Sequence, residues 1–536
     1  MHDLPLPTAQ GRRRWWTLGA LAVSVLVVGL DLFVLSLALP TLSVDLHAST
    51  GDLQWFVDAY SLVLAAALLP AGLLGDRFGR KKLLIAALAV FGIASVACAY
   101  SSSTAELIGA RAVLGLAAAV ILPLALAVLP VMFTPAERPR AIAIVGGATF
   151  IGYPLGPILG GWLLDHYWWG SVFLINVPIV LLALAAVVFL MPESRGSGRS
   201  RIDWTGVLVS SAGLVALTYG VIRAGQDGWS DSLAIGAMAA GVIALAVFVA
   251  VERMVARSGR QPLVDLSLFR SAGFTWGTTL ATMISFALFG LTFAMPQFFL
   301  DVKGLDSLAS GVRLLPLIGG LALGLGIGQR LQSPRKSRDG SPAKPPLLGV
   351  RPVGAGGFAI MAAALALGTA TSAASSAGFT SAWFAVTGLG LGLAMPTMLN
   401  AALSALTPER SGSGSALMTA MRQVGATIGV AVLGTVLNSV YRSKLATTGL
   451  APHVAATARS SVGTGVQVAM NAHSPQLLTS VHLAFASGVD MMLWVCAAIS
   501  IAAAVLAALF LPRQPDGARV ELTGVADVEM DKAGAE

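Results

Sequence analysis

The sequence predicts an all-α polytopic membrane protein with fourteen transmembrane helices. Hydrophobic residues make up 56% of the 536-residue chain and charged residues only 11%, against about a quarter charged in an ordinary soluble domain. Mean hydropathy is +0.80. The apolar residues fall into runs of span length, about 20 residues, separated by short polar loops. These runs lack the every-second-residue alternation of barrel strands, which leaves helices as the way to satisfy the backbone in lipid. This balance excludes a disordered chain, a disulfide scaffold and a typical soluble enzyme.

The spans read as 17–40, 53–75, 83–101, 105–129, 141–164, 171–191, 203–222, 232–251, 272–296, 307–329, 353–373, 379–400, 413–438 and 486–511. Arg12, Arg13 and Arg14 before the first run resemble the start of an export signal. That run is too long, holds Asp31 and lacks a small-residue cleavage site, so it reads as a retained first span after a cytoplasmic N-terminus, 1–16. Lys and Arg set the orientation. With the N-terminus inside, the inner loops hold Arg77, Arg80, Lys81 and Lys82, then Arg138 and Arg140, then Arg195, Arg199 and Arg201, and further arginines in each later inner loop. The opposite loops hold only Arg223, Lys303, Arg442, Lys444 and Arg459. One missed span would break this alternation. It supports the count of fourteen and a multi-pass protein of the cytoplasmic (inner) membrane with both termini cytoplasmic.

The net charge of +8 is accounted for by these inner loops. No zinc-like or RNA-module spacing accompanies it, so nucleic acid is not expected as a partner. Three segments read as non-membrane: a basic cytoplasmic loop at 331–352, a long outer loop at 440–484, and a disordered cytoplasmic tail at 513–536. Cys98 and Cys496 lie in apolar runs and read as packing residues rather than a disulfide or metal site. Trp55, Trp168, Trp169 and Trp204 fall at span ends and read as interfacial belt residues.

Three strings carry candidate chemistry. GLLGDRFGRKK, Gly72 to Lys82, joins spans 2 and 3. Gly72 and Gly75 permit close helix approach, and Asp76 can pair with Arg77 or Arg80 or cap a neighbouring helix. The string serves either as a cytoplasmic gate or as plain positive-inside anchoring. GYPLGPILGG, Gly152 to Gly161, puts four glycines and two prolines in span 5, which suits a gating hinge or a static kink equally. LIGARAVLGLAAA, Leu107 to Ala119, places Arg111 inside the lipid zone, where it needs a partner. Asp31 and Asp58 are the candidates, since all three lie roughly 8–13 Å below the outer ends of their spans. Two carboxylates facing one guanidinium leave one acid uncompensated, and desolvation favours its neutral form, as a proton carrier requires. Asp58 reads alternatively as a residue near the interface in contact with water.

These strings resemble signatures of the major facilitator superfamily. GLLGDRFGRKK is similar to its loop signature, and GYPLGPILGG to the antiporter signature of its drug–proton antiporters. Asp31 with Ala38, Leu39 and Pro40 resembles the span-1 signature of the fourteen-span branch. WFVDAYSLVLA (Trp55 to Ala65), WWGSVFLINVPIV (Trp168 to Val180), PLVDLSLFR (Pro262 to Arg270) and MRQVGATIGVAVLG (Met421 to Gly434) are also similar to that branch. The resemblance spans about residues 15–512.

The resemblance implies the major facilitator fold. An N-terminal six-helix bundle would occupy 17–191, two inserted linker helices 203–251, and a C-terminal six-helix bundle 272–511. It implies proton-coupled efflux, a drug/H+ antiport of amphipathic cationic or neutral drugs and antibiotics by alternating access. Asp31, Arg111 and Asp58 would serve proton coupling, with Asp58 alternatively meeting a cationic substrate. Gly72, Asp76, Arg77, Gly79, Arg80 and Lys81 would form the gate. Gly152, Pro154, Gly156, Pro157, Gly160 and Gly161 would form the hinge. The chain departs from the pattern at Leu114, where the family often has glutamine, and in the 331–352 loop, which lacks a clear second gate motif. In span 13, Arg422 and Gln423 stand where relatives similar to quaternary-ammonium pumps carry acids, so these two join Asp58 as possible cavity residues.

No cofactor is expected, since the proton-motive force would be the drive. The expected partners are small amphipathic substrates, protons and the lipid bilayer, for a monomer. A dedicated exporter of a single natural product is the second transporter reading. A polytopic membrane enzyme or sensor is the remote one. None of the six histidines lies inside a predicted span, and no Gly-rich phosphate loop precedes Lys-Ser or Lys-Thr.

Overall fold

The computed structural model describes residues 8–133, 137–193, 204–258, 264–333, 347–406, 411–447 and 450–512. Fourteen long helices follow in chain order: α1 (Thr8–Asp45), α2 (Thr50–Phe78), α3 (Arg80–Ala99), α4 (Thr104–Ala127), α5 (Arg138–His166), α6 (Asn176–Leu190), α7 (Trp204–Asp227), α8 (Ser232–Arg257), α9 (Ala272–Gln297), α10 (Ser307–Gln332), α11 (Val350–Gly368), α12 (Ala377–Leu403), α13 (Ser411–Lys444) and α14 (Pro475–Phe510). Twelve described helical segments are long and apolar enough to cross a membrane. The 29-residue helices α2 and α5 lie at the second and fifth predicted spans.

Local chemistry sets several helix starts. Ser49 caps α2 reciprocally: the Asp52 N–H donates to its Oγ at 3.2 Å, and its own N–H donates to the Asp52 carboxylate at 2.9 Å. Ser103, Asp231 and Ser376 cap α4, α8 and α12 through the first-turn N–H groups. Helix ends were less accurately legible. α13 continues to Lys444 and α14 begins at Pro475, so the expected loop at 440–484 contracts to 445–474. It holds two short helices, Pro452–Ala458 and Val462–Asn471. The polar residues beyond the apolar runs stay helical because they pack: the Tyr441 hydroxyl, on a 1% exposed residue, donates to the Ala458 carbonyl at 2.7 Å. The extension also places His482 inside α14, against the expectation that every histidine lies outside a span.

Two compact units are present. One comprises Met1–Leu263, Phe289–Leu315 and Ala426–Met492; the other Val264–Leu288, Pro316–Gly425 and Leu493–Glu536. In the first, α1 lies along α5, α2 along α4, and α7 along α8. Where α2 and α10 begin, this unit is closely tied. Gln54 Nε2 donates to the Val430 and Ala431 carbonyls at 3.1 and 2.9 Å. The Asp165 carboxylate accepts from the Ser307 and Leu308 N–H groups at 2.9 and 3.0 Å, satisfying the positive start of α10. Trp55 packs here against Val221, Ile222 and Ala431, and Trp169 is buried. Trp169 is therefore no lipid-facing belt residue, whereas Trp55 is half-buried and Trp168 exposed; the Trp204 side chain lies outside those described. In the second unit, α12 lies along α11. Gly390 meets the α11 backbone at Met361, and Gly392 the α10 backbone at Leu325, so these glycines serve close packing. Cys98 and Cys496 are free thiols and both buried.

Candidate functional site: a buried ion pair among five helices

Asp31 on α1 and Arg111 on α4 form an ion pair in the interior of the first unit. Arg111 Nη1 lies 2.6 Å from Asp31 Oδ2, and both side chains are almost wholly buried. Arg111 Nε donates to the Phe56 carbonyl of α2 at 2.9 Å, and its guanidinium lies over the Tyr60 ring, 4.5 Å from the centroid. The second carboxylate oxygen of Asp31 accepts from Asn176 Nδ2 at 3.0 Å. Asn176 also approaches Ser95 Oγ of α3 at 3.4 Å. Five helices thus supply groups to one charge pair. A single buried carboxylate or guanidinium would be costly, and each satisfies the other only with these extra hydrogen bonds. Gly115 lets α4 approach the α2 backbone at Tyr60, which brings Arg111 within reach.

Asp58 does not share Arg111. Its carboxylate is fully buried, and neither oxygen has a hydrogen-bond partner among the described residues. Depth along the span placed Asp58 at the right level but gave no azimuth. Helical rotation turns it away from the face of α2 that carries Phe56 and Tyr60. Asn176, Tyr60 and Ser95 were not singled out from sequence. Asn176 lies inside WWGSVFLINVPIV, and a lone amide at the start of an apolar helix was the available signal.

The loop string takes up defined contacts. Gly79 ends α2 and starts α3 with φ +103°, a conformation that favours glycine. Arg80 Nη1 donates to the Ala127 carbonyl at the end of α4 at 2.7 Å, and Lys81 Nζ to the Val188 carbonyl near the end of α6 at 2.7 Å. Both cations therefore sit at helix C-termini, where the helix dipole favours them. The Lys81 N–H donates to Glu193 Oε1 at 3.1 Å, a partner that sequence reasoning missed. Arg77 is exposed beside the Phe78 ring. Gly72 and Asp76 lie on α2, but the surroundings of Gly72 and the side chain of Asp76 fall outside those described, so the expected pairing of Asp76 falls there too.

In α5, Gly152 faces the α1 backbone: a Cβ there would lie 2.8 Å from the Leu30 nitrogen. Gly160 faces Val34, and Gly161 the backbone at Ser307 and Leu308. Pro157 is met by Gly311 of α10. Gly156 is buried, and the Pro154 side chain falls outside those described. The string is a tight contact surface for α1 and α10. Arg422 and Gln423 are half-buried on α13 in the second unit. Among the described residues no cluster of His, Cys, Asp or Glu could hold a metal ion.

The family model described as Major Facilitator Superfamily matches residues 21–430. The chain belongs to the major facilitator superfamily. Among its relatives, the tetracenomycin C resistance and export protein of Streptomyces glaucescens is 34% identical over 518 residues, 94% of this chain and 93% of that one. The multidrug efflux pump LfrA of Mycolicibacterium smegmatis is 34% identical over 515 residues, covering 94% and 97%. The methyl viologen resistance protein SmvA of Salmonella typhimurium is 31% identical, covering 85% and 89%. The fold is also that of solved transporter structures. A bacterial homologue of the human lysosomal transporter Spinster, inward-facing and unoccupied, gives a TM-score of 0.64 at 15% identity, covering 93% of this chain and 98% of that one. The xylose transporter XylE from E. coli, inward open, gives 0.56 at 14% identity, covering 94% and 97%. Membership makes this chain a transporter rather than an enzyme.

Proposed function

We propose that this protein exports amphipathic cationic or neutral drugs and antibiotics across the cytoplasmic membrane in exchange for protons. The observation that carries the coupling is the buried Asp31–Arg111 pair. A proton arriving on Asp31 removes the carboxylate charge that Arg111 faces. Removing one partner of a buried pair costs about 3–5 kcal/mol, enough to drive the helices into an arrangement where Arg111 finds other acceptors. Loss of the proton restores the pair. The ties at Gln54 and Asp165 would break and reform as access alternates between the two faces, and Arg80, Lys81 and Glu193 would do the same at the other end.

The reading includes fourteen spans, α1–α14, with both termini cytoplasmic. α1–α6 and α9–α14 form the two bundles, and α7 and α8 are inserted between them. The chain acts as a monomer and uses no cofactor. Relatives that are multidrug pumps and antibiotic exporters support the substrate class. A dedicated exporter of one natural product is the second reading, favoured by the tetracenomycin C exporter, which matches at the same 34% as LfrA. The test is the purified protein in liposomes with an internal pH dye and an imposed pH gradient. Ethidium, a quaternary ammonium compound and puromycin are added in turn. Proton movement with several of them supports broad antiport. Movement with puromycin alone favours the narrow exporter, and none with any of the three rejects drug–proton antiport for this panel.

A further inference from the structure

Asn176 touches the Asp31 carboxylate directly, yet half of its amide is unused. It opens α6 and is 0% exposed. Its Nδ2 donates to Asp31 Oδ1 at 3.0 Å and approaches Ser95 Oγ of α3 at 3.4 Å. Its Oδ1 is buried and has no hydrogen-bond partner among the described residues. A buried amide oxygen left without a donor is costly and calls for an explanation.

The chemistry of the neighbours decides which end of the amide faces Asp31. An ionised carboxylate only accepts hydrogen bonds, so the amide presents its nitrogen. Protonation reverses that demand. Asp31 Oδ2 faces Arg111 Nη1 at 2.6 Å, and a guanidinium has donors and no acceptor. An arriving proton therefore settles on Oδ1, where it points at the Asn176 Nδ2 hydrogens, donor against donor. A half-turn of the amide about its Cβ–Cγ bond removes the conflict. Its two ends are nearly equal in size, so the turn needs no added space. Asn176 Oδ1 then accepts the Asp31 O–H. The Ser95 hydroxyl, which both accepts and donates, turns its hydrogen to the same oxygen. Each orientation leaves one end of the amide short of a partner, so the proton decides between them.

The ionisable groups that face Asp31 do not replace this acceptor. Arg111 of α4 only donates. The Tyr60 phenol of α2 and the Cys98 thiol of α3 feel the Asp31 charge, but the Tyr60 ring lies against the guanidinium and a thiol sulfur is a weak acceptor. On α5, Gly152 meets α1 beside Leu30 and brings no side chain.

We infer that Asn176 is a positioning residue for the proton: its amide turns over when Asp31 is protonated and so holds the carboxyl group in both charge states. The inference rests on the proton coupling proposed above and adds to it the group that accepts the hydrogen bond of the new O–H. The Asp31 O–H is the bond that forms and later breaks, with water supplying the proton and taking it back. The turn passes the change of charge on α1 to α6 and, through Ser95, to α3.

The test is difference infrared spectroscopy of the full-length protein in liposomes, between neutral and acidic pH, with isotope-labelled asparagine. The chain has four asparagines, Asn176, Asn400, Asn438 and Asn471, so the labelled amide region is sparse. Acidification should raise a carboxylic C=O band that Asp31→Asn lacks. With it should come a shift of one labelled amide C=O band, absent from both Asp31→Asn and Asn176→Leu. In Asn176→Leu the Asp31 carboxylic band should move to higher frequency, as for an acid whose O–H finds no acceptor. Asn176→Ser replaces the leucine variant if that one does not fold, and it too should lose the labelled shift. A protonated Asp31 without any labelled amide shift would overturn the inference and leave the proton coupling standing, with Asn176 a static tie between α1 and α6. No Asp31 carboxylic band at any pH where the protein stays folded would reject the proton coupling and this inference with it.

Discussion

Replacing Gly152 by alanine perturbs the Asp31–Arg111 pair without touching either charge. The added Cβ would lie 2.8 Å from the Leu30 nitrogen, 2.9 Å from the Gly29 carbonyl carbon and 3.2 Å from the Leu26 oxygen. All three are backbone atoms, so no side chain can swing aside. Ordinary contact requires α1 and α5 to separate by about half an ångström, in an interior packed to crystal density. Leu30 precedes Asp31, whose contact with Arg111 is only 2.6 Å long, so the displacement falls on the pair. Overpacking of this kind costs about 1–3 kcal/mol. Gly109→Ala is the control. It stands two residues before Arg111 on α4, with no atom within 4 Å of an added Cβ, and alanine there gains up to about 1 kcal/mol of helix propensity. Thermal unfolding and gradient-driven substrate transport, measured on both variants, form the assay. Gly152→Ala should melt a few degrees below wild type and lose most coupled transport, and Gly109→Ala should do neither. A Gly152→Ala protein as stable and active as wild type would refute the packing argument.

Arg111→Lys keeps the charge but loses the planar fork that reaches both Asp31 and the Phe56 carbonyl; transport should fall at least about tenfold, the equivalent of one such charge-assisted bond, in protein that still inserts. Gly79→Ala forces a side chain into φ +103° with Glu193 Oε1 only 2.8 Å from its Cβ, at about 1–2 kcal/mol for the backbone alone; differential scanning fluorimetry should show a lower midpoint. Asp231 lies between α7 and α8, caps α8, and accepts from Arg223 at 2.9 Å. That hydrogen bond, with the Ala234 N–H, holds its carboxyl below the usual carboxylate value. Its contribution to stability is therefore present above about pH 4 and lost as pH falls through the lowered value. Asp231→Asn should flatten that part of the acid-denaturation profile, and an unchanged profile would remove Asp231 from it.

The positions of the helices were legible because lipid leaves an apolar run few alternatives. Their ends were not. α13 and α14 run on through Tyr441 and His482, and hydropathy stops where a helix turns amphipathic and packs on protein. The Asp31–Arg111 pair was legible because a charge inside a span demands an opposite charge at the same depth. Asp58 satisfied the same rule of depth and yet faces elsewhere, since depth along a helix carries no information on azimuth until neighbouring helices are placed. Asn176 and Glu193 escaped notice for another reason. Each has meaning only through a group far away in sequence, Asp31 and Lys81 respectively. The glycines of α5 announced close packing, and the structure names α1 and α10 as the partners.

The central claim is that Asp31 carries the proton which drives export. Asp31→Asn protein in liposomes tests it through two assays: substrate movement driven by a pH gradient, and exchange of labelled for unlabelled substrate with no gradient. The account predicts that gradient-driven movement and the accompanying proton flux vanish while exchange continues, because the amide that replaces the carboxylate keeps its shape and can still accept hydrogen bonds but cannot change charge. Gradient-driven transport at the wild-type rate in Asp31→Asn would contradict it.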